Sequence, residues 1–349
     1  MNLTKLIKKN KFNEENGKMI YKKFSSSNIE ISNIGLGTLA IGGPKWEWGW
    51  GPQDDYQSIR TIEKAIEIGI NWIDTAPVYG LGHSEKIVGK AIQNKRDRLF
   101  IATKCGQIWN LEGEISFCLN ASSVRKEVDS SLRRLGLENI DLYQIHWPKP
   151  NKDIEEAFME LVKLKAEGKV RNIGVSNFDV SQLKRVLRIA PVFSNQVLYN
   201  MFDTEIEREI LPFCNDHNIN VIVYSPMASG LLTGKYNQKT LNGLDKSDWR
   251  TSEKGGHFLE PEFSINIEII NDLRAIASKM NIGLCQLALA WILNNKKIAA
   301  AIAGVRSQEQ ILQTSKASSI RLSQDTIEKI NRLLEKRKKQ LSISITQDH

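Results

Sequence analysis

Eight short apolar runs alternate with helical patterns along this chain, and that alternation limits the fold more than any other feature. The runs lie at 34–36, 71–73, 99–102, 140–145, 170–175, 192–196, 220–223 and 299–303. Helical patterns separate them at 58–68, 84–92, 122–135, 154–167, 180–189 and 205–217. In 122–135, Val124, Val128, Leu132 and Leu135 repeat at helical spacing, with Ser122 at one end and Arg133 and Arg134 at the other. A strand followed by a parallel neighbour needs a crossover, and each helix supplies one. Eight such units predict an α/β chain of the (β/α)8 TIM-barrel class. Ile20, Phe24, Ile29 and Ile31 around a Ser-rich turn predict an N-terminal β-hairpin. Two apolar helical patterns, 267–280 and 284–293, precede the eighth run. One reads as the seventh barrel helix and the other as an extra helix. The irregular stretch 234–261 is long enough to suggest a functional loop.

The formal charge of +8 first suggests an acidic partner. Its location removes that reading. Residues 1–23 hold seven Lys against two Glu, and 328–349 hold six bases against three acids, so the body between is neutral. The lysine clusters carry no interleaved aromatics and no nucleic-acid motif. We therefore expect a basic extension at 1–18, one barrel domain at 19–335 and a basic, polar tail at 336–349. No apolar stretch approaches the roughly 18 residues of a membrane span. Cys105, Cys118, Cys214 and Cys285 are far apart, which argues against a disulfide framework or a zinc site and fits a cytoplasmic setting. Neither nucleic acid nor membrane is expected as a partner, and no metal. The oligomeric state is left open.

In a barrel of this class the chemistry lies at the C-terminal ends of the strands. The polar residues directly after the apolar runs are therefore the candidates. The second run leads to Asp74 and then Tyr79, the third to Lys104, the fourth to His146. The fifth gives Ser176 and Asn177, the sixth Gln196, the seventh Tyr224 and Ser225. An acid, a phenol, an ammonium and an imidazole from three consecutive units make a proton-transfer site. Asp74 would hold Lys104, and Lys104 would lower the pKa of Tyr79. His146 would orient a carbonyl oxygen, and Tyr79 would protonate the alkoxide as general acid. No side chain supplies a hydride, so a nicotinamide cofactor is implied. Gly35, Gly37 and Ala40 fit a dinucleotide fingerprint in spacing only, because Gly42, Gly43 and Pro44 follow where a helix should start.

Six ordered motifs carry a family resemblance over about residues 20–335. They are IGLGT at 34–38, NWIDTAPVYG at 71–80, ATKCG at 102–106, DLYQIHWP at 141–148, RNIGVSNF at 171–178 and YSP at 224–226. With these the chain resembles the aldo-keto reductases. GLLTGKY at 230–236 is nearest a bacterial branch that also resembles potassium-channel β subunits. The resemblance implies the barrel, NADPH or NADP+ as cofactor, and reversible reduction of a small carbonyl substrate. It implies a catalytic tetrad of Asp74, Tyr79, Lys104 and His146. Ser176, Asn177 and Gln196 match residues that hold the carboxamide, and Tyr224 matches the ring stacked on nicotinamide. Ser225, Pro226, Met227, Gly230 and Lys235 match the loop over the pyrophosphate. Gly37, Thr38, Leu39 and Asp74 also fall in the cofactor set, as do Gly304, Arg306, Gln310 and Thr314. The family's usual Glu-Asn pair is Gln313-Thr314 here, and its usual arginine at 229 is Ser229. Arg306 facing a 2′-phosphate favours NADPH over NADH.

Trp46, Trp48 and Trp50 alternate after the first strand, and Trp109 and Trp147 follow the third and fourth. An aromatic, mostly uncharged substrate pocket built from Trp46, Trp48, Trp109 and Trp147 suits a bulky or sugar-like carbonyl. His83 at the start of a helix reads as structural. The competing reading is a cofactor-sensing regulatory subunit like the channel β subunits, which look catalytic as well.

Overall fold

The computed structural model describes residues 18–25 and 27–347. Strands β1 (Tyr21–Lys23) and β2 (Glu30–Ser32) form the expected hairpin. Eight parallel strands then close a barrel. They are β3 (Ile34–Gly37), β4 (Trp72–Asp74), β5 (Phe100–Cys105), β8 (Ile140–Ile145), β9 (Val170–Ser176), β10 (Ser194–Leu198), β11 (Asn220–Tyr224) and β12 (Ile298–Gly304). Closure is made where Ala301 of β12 pairs with Ile34 of β3. A second hairpin, β6 (Gln107–Trp109) with β7 (Ile115–Phe117), rises after β5 and was not anticipated.

The helices are α1 (Asp55–Glu67), α2 (His83–Ile92), α3 (Ala121–Leu135), α4 (Ile154–Ala166), α5 (Val180–Leu187), α6 (Ile210–Asp216), α7 (Gln238–Asn242), α8 (Glu262–Lys279), α9 (Leu284–Asn294), α10 (Gln308–Ser315) and α11 (Gln324–Gln347). The start of α3 is fixed by Asn120, not Ser122: the Asn120 side chain accepts from Ser123 N at 2.8 Å. Gly136 ends the helix in a left-handed conformation with φ 66°. Between β11 and β12, α9 is the barrel helix. Its apolar residues are buried and it packs against β12 and α10. Helix α8 is the addition and pairs with α11. The boundary expected at residue 335 falls inside α11, where Arg337 is buried and donates to Asn266 of α8 at 2.6 Å. Nearly all of the expected basic extension lies outside the described residues. Among the described residues no single helix is long and apolar enough to cross a membrane, and the four cysteines are free thiols.

The barrel interior is filled by Trp72, Phe100, Ala102, Leu142, Ile222, Ala300 and Ile302. Phe24 and Ile31 of the N-terminal hairpin join this cluster and plug the lower end. The Phe24 ring lies 5.0 Å from Phe193, edge to face, and 5.8 Å from Phe100. Gly35 is required by the same packing. A Cβ there would lie 2.1 Å from the Trp72 ring. The glycine of the false fingerprint is thus a space-maker for an interior indole.

Because Phe24 is buried against two other rings, its loss opens a cavity at the plugged end. We expect Phe24→Ala to cost about 3–4 kcal/mol in urea or guanidinium unfolding. Any turnover at 25 °C should change little, since the candidate polar residues lie at the opposite end.

Candidate active site

The polar end of the barrel is organised around Lys104. It sits near the C-terminal end of β5 and is 0% exposed. Its Nζ donates to Asp74 Oδ1 at 2.6 Å, to Thr75 O at 2.9 Å and to Tyr79 Oη at 3.3 Å. Three donors thus meet three acceptors, which a buried ammonium requires. Asp74 ends β4, and its other oxygen accepts from Gln196 Nε2 of β10 at 2.8 Å. Thr38 braces the same residue from β3's end, donating through Oγ1 to Asp74 O at 3.1 Å while accepting from Ser84 Oγ at 2.8 Å.

Tyr79 lies in the turn that runs from β4 to α2. His146 directly follows β8, and its ring stands 5.9 Å from the Tyr79 ring at 76°. The four residues expected to act together are therefore together. The electrostatics correct one expectation. Lys104 does pull the Tyr79 phenol down, but burial outweighs it and the net pKa lies above the ordinary value of 10.0. Burial opposes the Lys104 charge, yet Asp74 and Tyr79 prevail and raise its pKa. Burial, with Lys104 second, pushes His146 well below 6.5. At neutral pH the site holds an ammonium, a neutral phenol and a neutral imidazole.

Beside this core, Ser176 Oγ donates to Gln196 O at 2.9 Å. Asn177 adopts φ 63° and donates to His146 O at 3.1 Å. Tyr224 donates from its hydroxyl to Asn177 Oδ1 at 2.9 Å, which places its ring at the mouth next to the carboxamide candidates. Ala228, Ser229 and Gly230 are three successive residues with positive φ after β11, so this stretch of backbone turns sharply where a phosphate loop was expected. Gly304, at the end of β12, has open space where a Cβ would stand. Trp50 Nε1 is buried without a partner. These three features lie along the ends of β11, β12 and β3, the path that a groove for an elongated, anionic group would follow.

Other expected cofactor residues stand apart from such a groove. Gly37 packs against Ile302 and Thr38 is fully buried, so both act beneath the site. Leu39 packs in the small cluster with Trp46, Val78 and Tyr79. Pro226 and Met227 are buried. Thr314 is buried and its hydroxyl donates to Gln310 O of its own helix at 2.8 Å. Gln310 accepts from Arg306 N at 2.8 Å. Lys235 is exposed at the end of the turn through Ser229 and Gly230. The Arg306 guanidinium is occupied: it donates to Gln53 Oε1 at 2.7 Å, to Trp50 O at 2.8 Å and to Pro52 O.

Of the tryptophans, Trp46 packs 5.8 Å from Tyr79 and Trp147 stacks 6.5 Å from His146. Both flank the reacting end. Trp48 packs against the same Trp46–Tyr79 cluster and also lies 5.3 Å from Trp249. Trp109 lies 5.9 Å from the Arg134 guanidinium of α3. His83 pairs with Asp55 at 2.8 Å, a helix-to-helix contact. Sequence reasoning missed Trp249 and Arg250, which lie in the long irregular stretch. The only local signal was the Asp248-Trp249-Arg250 string, an aromatic between opposite charges.

Comparison with known proteins agrees with this geometry. The Aldo/keto reductase family profile matches residues 33–335, and the chain belongs to that family. It is 38% identical over 321 residues to an aldo-keto reductase of Bacillus subtilis, covering 91% of this chain and 94% of that protein. It is 35% identical over 314 residues to the NADH-specific methylglyoxal reductase of Escherichia coli, covering 85% and 93%. Among solved structures, the glycerol dehydrogenase of Gluconobacter oxydans superposes with a TM-score of 0.81 at 36% identity, covering 91% of this chain and 95% of that one.

Removing the ammonium would strand Asp74. We expect Lys104→Met to destabilise the fold by about 3–5 kcal/mol in chemical denaturation. Asp74→Asn combined with Lys104→Met should recover part of that loss, because no unpaired charge is left buried.

Proposed function

We propose that this protein is an NADP(H)-dependent oxidoreductase that interconverts an aldehyde or ketone and its alcohol, with Asp74, Tyr79, Lys104 and His146 as the catalytic residues. The observation that carries this reading is the single Lys104 ammonium bonded at once to Asp74 and Tyr79, with His146 across the Tyr79 ring. The dinucleotide would lie along the ends of β11, β12 and β3. Ser176, Asn177 and Gln196 would hold the carboxamide, and Tyr224 would face the ring. The backbone of Ser225 through Gly230, with Lys235 and Arg306, would hold the phosphates. When bound there, a reduced nicotinamide supplies the hydride that the side chains lack.

The side chains then handle position and protons. Neutral His146 can donate a hydrogen bond to the substrate's carbonyl oxygen and aim it at Tyr79. Tyr79 delivers its proton to that oxygen as negative charge develops, and Lys104 stabilises the phenolate that remains. Asp74 and Gln196 keep Lys104 charged and immobile. In the reverse direction the phenolate takes the alcohol proton. Trp46 and Trp147 give the substrate an aromatic, uncharged enclosure, which favours sugar-like or bulky carbonyls over anionic ones.

Two cations, Lys235 and Arg306, at the phosphate end favour NADP(H), whereas one similar relative bears the name of an NADH-specific enzyme. Oxidation of NADPH and of NADH across a panel of aldehydes, ketones and keto-sugars tests cofactor and substrate together. Higher kcat/KM with NADH on every active substrate would reverse the cofactor assignment.

Tyr79→Phe should reduce turnover by about a thousandfold or more while cofactor affinity stays within about twofold. A variant that keeps the wild-type rate on a confirmed substrate would sink the mechanism. The pH profile follows from the two displaced pKa values. Reduction needs Tyr79 protonated and His146 neutral. The first holds to above 10.0 and the second to below 6.5. The reductive kcat should therefore be level across that whole window, and a bell centred near neutrality would contradict it.

A further inference from the structure

The β6–β7 hairpin stands against both sides of the reacting end. Its register sets Trp109 opposite Ile115 and Gln107 opposite Phe117. Directly opposed residues of an antiparallel pair share a face, so these four lie on one side of the hairpin, with Ile108 and Ser116 on the other. On the first side, half-buried Ile115 packs against the cluster of Trp46, Val78 and Tyr79. The Phe117 ring lies 5.4 Å from the Lys149 ammonium, which also stands 5.7 Å from the Trp147 ring. Trp147 in turn stacks on His146. One face of the hairpin thus reaches from the Tyr79 flank to the His146 flank.

Helix α3 seats this hairpin. The chain turns out of β5 at Gly106, with φ 94°. Gly106 N donates to Glu127 Oε2 at 2.9 Å, and Gly106 O accepts from Cys118 N at 3.2 Å where the hairpin returns. Ser123 Oγ donates to the other Glu127 oxygen at 3.1 Å. Two turns further along α3, Arg134 lies beside the Trp109 ring and is itself fixed by Glu85, to which its Nε donates at 2.6 Å. The wall behind Trp46 is braced as well. Trp48 joins that cluster to Trp249, Trp50 bridges Asp248, Trp249 N donates to Gly49 O at 3.0 Å, and Arg250 donates to Ser229 O at 3.1 Å.

The space between these walls is apolar beside Tyr79. Ile115 and Val78 offer only carbon, and Trp46 commits its N–H to Gly43 O at 3.1 Å. Near the hairpin tip, the Asn110 amide donates to the Glu114 carboxylate at 2.8 Å, so these two polar side chains satisfy each other. An apolar substituent placed beside Ile115 leaves water without losing a hydrogen bond. A sugar hydroxyl there would lose its water partners and gain none.

We propose that the β6–β7 hairpin is the substrate-selecting wall, that Ile115 is its specificity-determining residue, and that the site takes a carbonyl bearing an aryl or branched alkyl group in preference to a sugar-like one. Glu127 is a positioning residue that holds this wall through Gly106. The inference rests on the carbonyl chemistry proposed above and narrows its substrate class.

Steady-state kinetics with 3-phenylpropanal and D-erythrose test it, using whichever dinucleotide supports turnover. Wild-type kcat/KM should be about tenfold or more higher for 3-phenylpropanal. Ile115→Ala should lower the ratio of the two kcat/KM values by about fivefold or more, and Ile115→Asn, which offers a hydroxyl a partner, should lower it further. Glu127→Ala should lower the same ratio by about threefold or more, while Glu127→Gln, whose amide oxygen can still accept from Gly106 N, should bring it back to within about twofold of wild type. A wild-type preference for D-erythrose, or a ratio that Ile115→Ala leaves within about twofold, overturns the selecting wall and leaves the proposed carbonyl chemistry standing. A Glu127→Ala variant that melts earlier but keeps the wild-type ratio overturns the positioning role. Wild-type protein that reduces neither aldehyde, nor any other carbonyl, with either dinucleotide overturns the proposed function and this inference with it.

Discussion

A single buried ammonium constrains the whole upper half of this barrel. An unpaired charge at the depth of Lys104 would cost several kcal/mol, so β4 and the turn after it must set three acceptors against β5, and other strands must hold Asp74 in place. Asp74 comes from β4, its bracing amide Gln196 from β10, and its backbone contact Thr38 from the end of β3. Lys104 itself comes from β5. The four positions meet only if the strands keep their register. A one-residue slip would turn each of these side chains to the opposite face. Barrel register and site geometry are thus one requirement, and closure of the β12–β3 pair enforces it.

The two ends of the barrel divide the work. At the lower end the hairpin β1–β2 inserts Phe24 and Ile31 beneath Trp72 and Phe100, and the interior lining is apolar. At the upper end the strands finish in polar residues that face one another. The interior apolar layer shields the Lys104–Asp74 pair from water below, and Trp46 and Trp147 shield the reacting end from the sides. That exclusion explains why burial dominates the pKa values of both Tyr79 and His146. A phenol kept protonated and an imidazole kept neutral are the two states that carbonyl reduction needs.

The sequence made the strands legible because parallel strands, buried on both faces, read as continuous apolar runs. All eight were located to within a few residues. The ends were less visible. Strand β5 continues through Thr103 and Lys104 to Cys105, where polar letters suggested that the strand had stopped. Those polar residues are buried because they have partners, which no single run can reveal. The four candidates were legible because Asp74, Lys104 and His146 stand at or just past the ends of apolar runs and Tyr79 lies five residues beyond Asp74. Its electrostatic balance was not, since depth of burial decides whether Lys104 or desolvation governs Tyr79. The β6–β7 hairpin has three-residue strands with too little alternation to register. The 237–258 loop owes its shape to Trp50, Gly49 and Ser229, and only the last of these is near it in sequence.

The distribution of cations gives a way to separate structural from functional charge in this chain. The body between the basic ends is electrically balanced, and the two bases that are buried there, Lys104 and Arg250, are each held by an acid. Arg134 has Glu85, Arg185 has Glu155 and Arg250 has Asp248. Lys104, although proposed to act in the chemistry, is paired too, because it is fully buried. Lys235 and Arg306 have no acid partner among the described residues, and both lie at the mouth. A cation that meets only neutral acceptors or solvent keeps more of its attraction for an anion than one already matched to a carboxylate. On that argument Lys235 and Arg306 are the cations proposed for the cofactor phosphates, while Arg250, which donates to Ser229 O, contributes shape.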